Sequence, residues 1–495
     1  MISAYAVPDV VAAERAVMAE LPDGELMARA VTGLAEVARV RLRERGAPRV
    51  VALVGPGNNG GDALYAVAAL AADGFAAGAL IHEGKAHPGA LAAARDAGVV
   101  VESLAGPADP ALAAGGSAYR LLSEAQVVLD GILGIGGRPG LPAWASGWVA
   151  AIPDDAYVIA VDLPSGQDPA GEQGDPDGVF ADETVSFSLA KPVHLLPATQ
   201  PACGLFTIAD IGVPQPDSSA AVCRLDPADI AERWPVPGPL DDKYSRGVVG
   251  IVAGGEEYTG AAILSVTAAV CTGAGMVRYV GTPNPEWLVR AAVPEAVHGP
   301  GRVQAWVIGP GLDIHSRRAG AKAQLDCART ALASDLPVVL DAGGLDLLTG
   351  ERAAPTLLTP HAGECARLLS RLTGDEIDRA AVTAHPLSHA RRLADLTGAV
   401  VLLKGGTTLV VPPGADTAYS QDQAPAWLAT AGAGDVLAGL LGTLVAAGLP
   451  LPEAGALGAL VHGLAAERAN PGGPIRALAV AHALPPTIAA ALAVR

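Results

Sequence analysis

The apolar positions of this chain gather in short unbroken runs and do not alternate with polar ones. Val50–Val54, Ala79–Ile81, Val127–Leu129 and Tyr157–Val161 form one series; Val248–Val252, Ala305–Ile308, Val338–Leu340, Leu357–Leu358 and Val400–Leu403 form a second. A strand without alternation is buried on both faces, as the strands of a parallel sheet covered by helices are. Helical stretches separate the runs, so the pattern predicts two α/β layered domains. Between the two series, Ile211 to Leu240 carries six prolines and no sustained periodicity, the mark of a linker or strap. The expected organisation is a first domain over 1–213, a connector over 214–240 and a second domain over 241–495.

Composition sharpens this picture in three places. A chain of 495 residues is too long for one compact core. With 51% apolar residues and only 4% aromatic ones, its cores must be built from Ala, Val and Leu. The net charge of −18 opposes any bulk attraction to nucleic acid or an anionic membrane, so bound phosphate must be held locally. The five cysteines, at 203, 223, 271, 327 and 365, are odd in number and form no CxxC pair, which fits thiols of a reducing compartment. The first thirty residues carry Asp9, Glu14 and Glu20 and lack the basic start and apolar block of a signal peptide, so a cytoplasmic location is expected. The apolar segment Val436–Ala466 is interrupted by Pro450, Pro452 and Glu453 and reads as two packed helices, not a membrane span.

Candidate chemistry lies where the runs end. GPGNNGGD, residues 55–62, follows the strand Val50–Val54. In an open parallel sheet, ligands collect outside the carboxyl ends of strands, where helix N-termini favour anions. Its glycines permit close backbone approach, Asn58 and Asn59 offer side-chain amides, and Asp62 is expected to open the following helix as its N-cap. Taken alone, the loop is equally a tight turn. Two further strand ends carry carboxylates: QVVLD, closing on Asp130, and YVIAVD, closing on Asp162. Three glycine-bearing loops on one rim describe a pocket, because a carboxylate at the end of a buried strand requires partners or a cation.

These residues, with DGILGIG at 130–136, VDLPSG at 161–166, TVSF at 184–187 and Lys191-Pro192, resemble the NAD(P)HX epimerase family over nearly all of 1–213. The resemblance implies a Rossmann-like, doubly wound domain that interconverts the R and S forms of hydrated NADH or NADPH. It implies substrate contacts from Asn58, Asn59, Gly60, Gly61 and Asp62, from Gly134, Ile135, Gly136, Gly137, Arg138, Pro139 and Gly140, and from Asp162. It further implies a potassium ion held by Asn59, Asp130 and Ser165, with Asp130 also serving as acid or base.

In the second half, ATAGAGDVLAG, residues 429–439, leads into a helix. Small residues at a helix start expose unpaired N–H groups aimed at any anion there, and Asp435 is placed to act as a base on a hydroxyl beside a phosphate in transfer. The same residues also fit an ordinary helix start, with Gly434 at the bend and Asp435 as a first-turn acid stabilised by the dipole. VVLLKGGTTLVV (400–411) supplies an ammonium and backbone amides, LLTPHAGE (357–364) presents His361 and Glu364 at a helix start, and VIGPGL (307–312) and VVLDAGGL (338–345) complete the strand ends. Asp341 could stiffen its loop or face the substrate.

Together with AGGEEYTGAAILSVTAAVCTGAGMVRY from Ala253, this set resembles the ribokinase-like superfamily and, within it, the ADP- or ATP-dependent NAD(P)HX dehydratases, from about Lys243 to the end. The resemblance implies a ribokinase-like α/β sandwich in which Ala262, Gly311, His361 and Asp435 touch the hydrated nicotinamide nucleotide. Lys404, Gly405, Gly406, Thr407, Thr408 and Gly434 would cradle the adenine nucleotide, with magnesium bridging its phosphates. The whole chain is then expected to be a bifunctional repair enzyme acting on NADHX and NADPHX with ADP or ATP, without nucleic-acid or membrane partners, and assembled as a homo-oligomer.

Three rival functions remain on sequence grounds. A kinase for a sugar or pyrimidine alcohol would account for the GAGD stretch but not for the first domain. A non-enzymatic binding module would leave Asp130, Asp162 and the NNGGD loop without purpose. A dehydrogenase finds GxGxxG at Gly55, Gly57 and Gly60, but the next strand, AGALIHEG, does not end on the expected acidic residue.

Overall fold

The computed structural model describes residues 1–46 and 48–493. The chain divides into two compact units, Ser3–Val222 and Cys223–Arg495, the second also including Met1–Ile2.

The first unit is a seven-stranded, all-parallel sheet in the order Val100–Leu104, Ala76–His82, Arg49–Val54, Val127–Gly131, Tyr157–Val161, Glu183–Phe187, Leu205–Ala209. Val50 to Val54 are fully buried, as an unbroken apolar run in such a sheet requires. The order reverses between Arg49–Val54 and Val127–Gly131, where two neighbouring crossovers leave to opposite sides and open a crevice at the carboxyl ends.

Three strands of this sheet are missing from the apolar-run pattern, for two physical reasons. Val100–Leu104 and Leu205–Ala209 are edge strands and half solvated. Glu183–Phe187 is wholly buried yet polar in sequence, because its side chains are hydrogen-bonded. Glu183 meets Arg41 Nε at 2.7 Å and accepts from Thr207 Oγ1 at 2.6 Å, and Thr184 Oγ1 donates to the Cys203 carbonyl at 2.7 Å.

The second unit centres on a sheet whose main run is Ala418–Gln421, Thr408–Val411, Val400–Leu403, Thr356–Leu358, Val338–Leu340, Ala305–Ile308, Val248–Val252, Met276–Val280, Val297–His298. It is parallel from Val400–Leu403 onward, and the first two strands of this run are joined antiparallel. Met276–Val280 alternates buried and half-buried positions, so it carries no continuous run. The helices Ala433–Ala446 and Leu451–Ala469 bury most of their length in the main core, with Pro450 capping the second, as the proline interruption predicts. Among the described residues, no helix is long and apolar enough to cross a membrane.

The stretch 214–240 is not irregular throughout: it contains a strand, Val222–Arg224, and a helix, Pro227–Arg233. Its prolines conceal the helix because Pro227 occupies the first helical position, where a missing N–H is tolerated, behind an Asp226 cap that accepts from Ala228 and Asp229. Among the described residues, the five cysteines form no disulfide.

Candidate functional sites

In the first unit, the loop after Arg49–Val54 turns straight into the helix Asn58–Ala72, with Gly57 at its N-cap. Asp62, expected as the cap, therefore lies in the second turn. The helix begins early because Gly60 sits against the backbone of Gly55, where a Cβ would come within 2.1 Å of the Gly55 carbonyl oxygen; only glycine allows this entry.

Asn58, Asn59, Asp62, Ile135 and Asp162 line a single cavity of about 740 Å³, with Glu14, Tyr65 and His87 also in its wall. Of the loop 134–140, only Ile135 reaches that wall. Gly136, Arg138 and Pro139 are exposed, and Gly134 instead gives close approach to Asn59, whose Oδ1 would meet a Cβ there at 2.4 Å. Gly60 and Gly61 are buried within the helix.

Asp162 is held in a left-handed backbone conformation, with φ of 70°, rare for a residue with a Cβ. Its carboxylate is ion-paired with the fully buried Lys191 and accepts from Ser186 Oγ at 3.2 Å. His194 completes the support: its Nδ1 accepts from the Lys191 amide at 3.0 Å and its Nε2–H donates to the Asp162 carbonyl at 2.7 Å. Burial, and then the Lys191 charge, push this imidazole down to about 3, so it stays neutral.

Asp130 is fully enclosed and does not line the cavity. Its Oδ1 accepts from Ser165 Oγ at 2.7 Å and Ile132 N at 3.2 Å, and its Oδ2 from Ser165 N at 2.8 Å. These bonds make Asp130 an anchor of the loops at its own strand end and at that of Tyr157–Val161. Asn59 Nδ2 donates to the Val161 and Leu133 carbonyls at 2.6 and 3.2 Å. Asp130, Ser165 and Asn59 are thus knitted together with main-chain oxygens at three strand ends.

In the second unit, the bend before the anion-favouring helix is made by Gly432, at φ of 91°, and not by Gly434; the helix runs Ala433–Ala446. Asp435 lies in its first turn, with its carbonyl fixed by Ser265 Oγ at 2.9 Å. Burial, reinforced by Asp341 and opposed by Lys404, raises the Asp435 carboxyl to about 7, so the simple picture of a dipole-stabilised acid does not hold.

Lys404 Nζ donates to Asp341 Oδ1 at 2.7 Å and lies 3.8 Å from Glu364 Oε2. Burial pulls the ammonium pKa down, but these two carboxylates outweigh burial and hold it above the ordinary lysine value. Asp341 also accepts from Thr359 Oγ1 at 2.8 Å, so it stiffens its loop and positions the lysine at once. A Cβ placed on Gly434 would stand 3.4 Å from Lys404 Nζ, so the lysine and the helix tip face one space. Gly405 and Gly406 are exposed beside it.

His361 is the N-cap of the helix Ala362–Thr373: its Nδ1 accepts from Gly363 and Glu364 amides at 3.1 and 3.2 Å, while Glu364 accepts from its backbone N–H at 2.9 Å. The Lys404 amide donates to the Pro360 carbonyl at 2.8 Å, which brings this cap beside the lysine. Gly311 packs on Tyr258 and Ala261, and Ala262 is fully buried against Gly254, so Ala262 supports the loop without offering a surface.

Sequence reasoning passes over Glu14, His194 and Ser265. Glu14 and Ser265 sit within helices of ordinary composition, and their roles arise from packing alone. Lys191 left a signal, a lysine within an otherwise buried stretch, but its pairing with Asp162 needed the fold.

Residues 249–481 match the family model described as NAD(P)H-hydrate dehydratase, and residues 23–193 match that of the YjeF-related protein N-terminus. The bifunctional NAD(P)H-hydrate repair enzyme Nnr of Mycobacterium tuberculosis is 43% identical over 471 residues, covering 91% of each chain. Its namesake from Mycobacterium leprae is 42% identical over 489 residues, covering 94% of each. Among solved structures, an ADP/ATP-dependent NAD(P)H-hydrate dehydratase from Bacillus subtilis aligns with a TM-score of 0.47 and 24% identity over 54% of this chain and 98% of that one.

Proposed function

The chain belongs to the family of bifunctional NAD(P)H-hydrate repair enzymes, and from that premise we propose how its residues divide the work. The enzyme interconverts (R)- and (S)-NAD(P)HX and dehydrates the S form to NAD(P)H at the expense of ADP or ATP. The observation that carries the assignment of the second unit is Asp435, a carboxylate with a raised pKa in the first turn of a helix whose tip faces Lys404.

In that unit, Asp435 takes the proton of the hydrate hydroxyl as the hydroxyl oxygen bonds to the terminal phosphorus of the nucleotide, and the bond from that phosphorus to the bridging oxygen breaks with its electron pair leaving on the shortened nucleotide, ADP from ATP or AMP from ADP. The helix-tip amides and Lys404 hold the negative charge that builds on the phosphate. Lys404 to Thr408 and Gly434 cradle the nucleotide, and His361 with Gly311 borders the hydrate. Magnesium, entering with the nucleotide, would neutralise phosphate charge. The C–O bond of the phosphorylated hydrate then breaks with its electron pair leaving on inorganic phosphate, while the neighbouring carbon gives up a proton to solvent and its C–H pair restores the ring double bond.

The pH dependence follows from the base. Asp435 works ionised, and its carboxyl is raised to about 7, so activity falls as the pH drops through that value. At subsaturating nucleotide, kcat/KM for the S hydrate is expected to fall roughly tenfold per unit on the acid side and to level off above it. A profile that stays flat well below neutrality contradicts Asp435 as the base.

In the first unit, the cavity bounded by Asn58, Asn59, Asp62, Ile135 and Asp162 is the site we assign to epimerisation. Asp130, Ser165 and Asn59 fit a potassium ion by the chemistry of their donors: one carboxylate among neutral hydroxyl, amide and main-chain oxygens suits a hard monovalent cation. Bound there, the ion would supply positive charge beneath the three loops. The five widely spaced cysteines, without a CxxC pair, favour a reducing, cytoplasmic setting for the enzyme.

A further inference from the structure

The cavity of the first unit holds one carboxyl group out of keeping with its neighbours. Asp62 is 6% exposed, lines the cavity, and leaves its Oδ1 buried with no hydrogen-bonded partner. The other carboxylates near it are accounted for: Asp162 is paired with Lys191, and Asp130 is enclosed by Ile132 and Ser165. An unpaired buried carboxylate is costly, and such a group avoids the cost by keeping its proton.

Resting on the epimerase reading above, we propose that Asp62 is the general acid that inverts the hydrated carbon. Hydration of an enamine double bond leaves the hydroxyl on the carbon bonded to nitrogen. The Asp62 carboxyl gives its proton to that hydroxyl, the C–O bond breaks with its electron pair leaving on water, and the nitrogen lone pair forms a C=N⁺ bond. Water then adds to the opposite face: an oxygen lone pair forms the new C–O bond, the π pair returns to nitrogen, and the extra proton returns to Asp62. Nothing is consumed. The proton transfer turns a neutral acid into a carboxylate just as the substrate becomes a cation, so the charges that develop face each other in a confined space.

The surroundings set the proton affinity in the required direction. Burial first, then the negative charges of Asp162 and of Glu14 from the helix Val7–Glu20, raise the Asp62 carboxyl to about 8, so it is protonated at neutral pH. The remaining titratable groups on the cavity are Asp23, Glu25, Tyr65 and His87, with Lys191 behind Asp162; the His87 Nδ1 is occupied in accepting from the Ala90 amide.

The test follows R-to-S conversion in the full-length enzyme in water enriched in oxygen-18. The wild-type protein is expected to incorporate label with inversion and to lose activity as pH rises above about 8. Asp62→Asn should lower inversion and label uptake together by roughly 10²- to 10⁴-fold with little change in KM. Glu14→Gln, which removes a charge that raises the Asp62 pKa, should move the alkaline limb to lower pH, and this holds the proposal to account even if Asp62→Asn fails to fold. Wild-type rates in Asp62→Asn, inversion without label, or an unmoved limb in Glu14→Gln would each overturn it. A wild-type protein unable to interconvert the hydrates overturns the epimerase reading itself and the proposal with it.

Discussion

Replacing Asp435 with asparagine is expected to stop recovery of NAD(P)H from both hydrates while leaving their interconversion intact. Asparagine keeps the size of the side chain but cannot accept the hydroxyl proton, and loss of a positioned base typically lowers a rate by roughly 10²- to 10⁴-fold. The fold should not suffer. Burial raises this carboxyl to about 7, so its ionisation opposes folding by an amount that grows as pH rises from the ordinary carboxylate range to that value. The amide removes that opposition, and the variant should unfold at the same or a higher temperature at pH 8. Assays of nicotinamide absorbance from separated R and S hydrates, alongside chromatographic R-to-S conversion, check both halves. Equal loss of both activities would contradict two sites.

Asp130→Ala is expected to do the reverse, abolishing epimerisation while the S hydrate is still dehydrated. The substitution strips partners from Ile132 N, Ser165 N and Ser165 Oγ in a fully buried place. Each orphaned donor costs about 1–3 kcal/mol. The loops bearing Ser165 and Leu133 lose their common anchor, because Ser165 Oγ also accepts from Leu133 N at 2.9 Å. The first unit should therefore unfold at clearly lower denaturant, and the oxygen set proposed for potassium loses its only charge. Denaturant titration with R-to-S rates on one preparation tests this; wild-type epimerisation in Asp130→Ala would refute the anchor.

The strands nearest the chemistry were legible because they are buried on both faces: Val50–Val54 and Val338–Leu340 announce themselves as apolar blocks, and carboxylates follow at the strand ends. Strands that satisfy polar groups or meet solvent were not, as Glu183–Phe187 and Val100–Leu104 illustrate. Of the site, the residues sitting on strand ends were visible, whereas those that tune them were not. That Asp62 is unpaired, that Asp162 is strained and ion-paired, and that His361 spends its Nδ1 on capping a helix are consequences of packing. Motif order located the carboxylates, and only their surroundings separate Asp130, whose oxygens are held by Ile132 and Ser165, from Asp435, proposed as the base and raised to about 7 by burial.

The central claim, two independent sites acting in turn on one substrate, is tested most directly by mixing the Asp435→Asn and Asp130→Ala proteins with the R hydrate and nucleotide. Each alone should recover NAD(P)H no faster than uncatalysed epimerisation permits, and the mixture should restore recovery as the first protein supplies the S form to the second. A mixture no faster than Asp130→Ala alone, from proteins that each retain their remaining activity, would contradict the account.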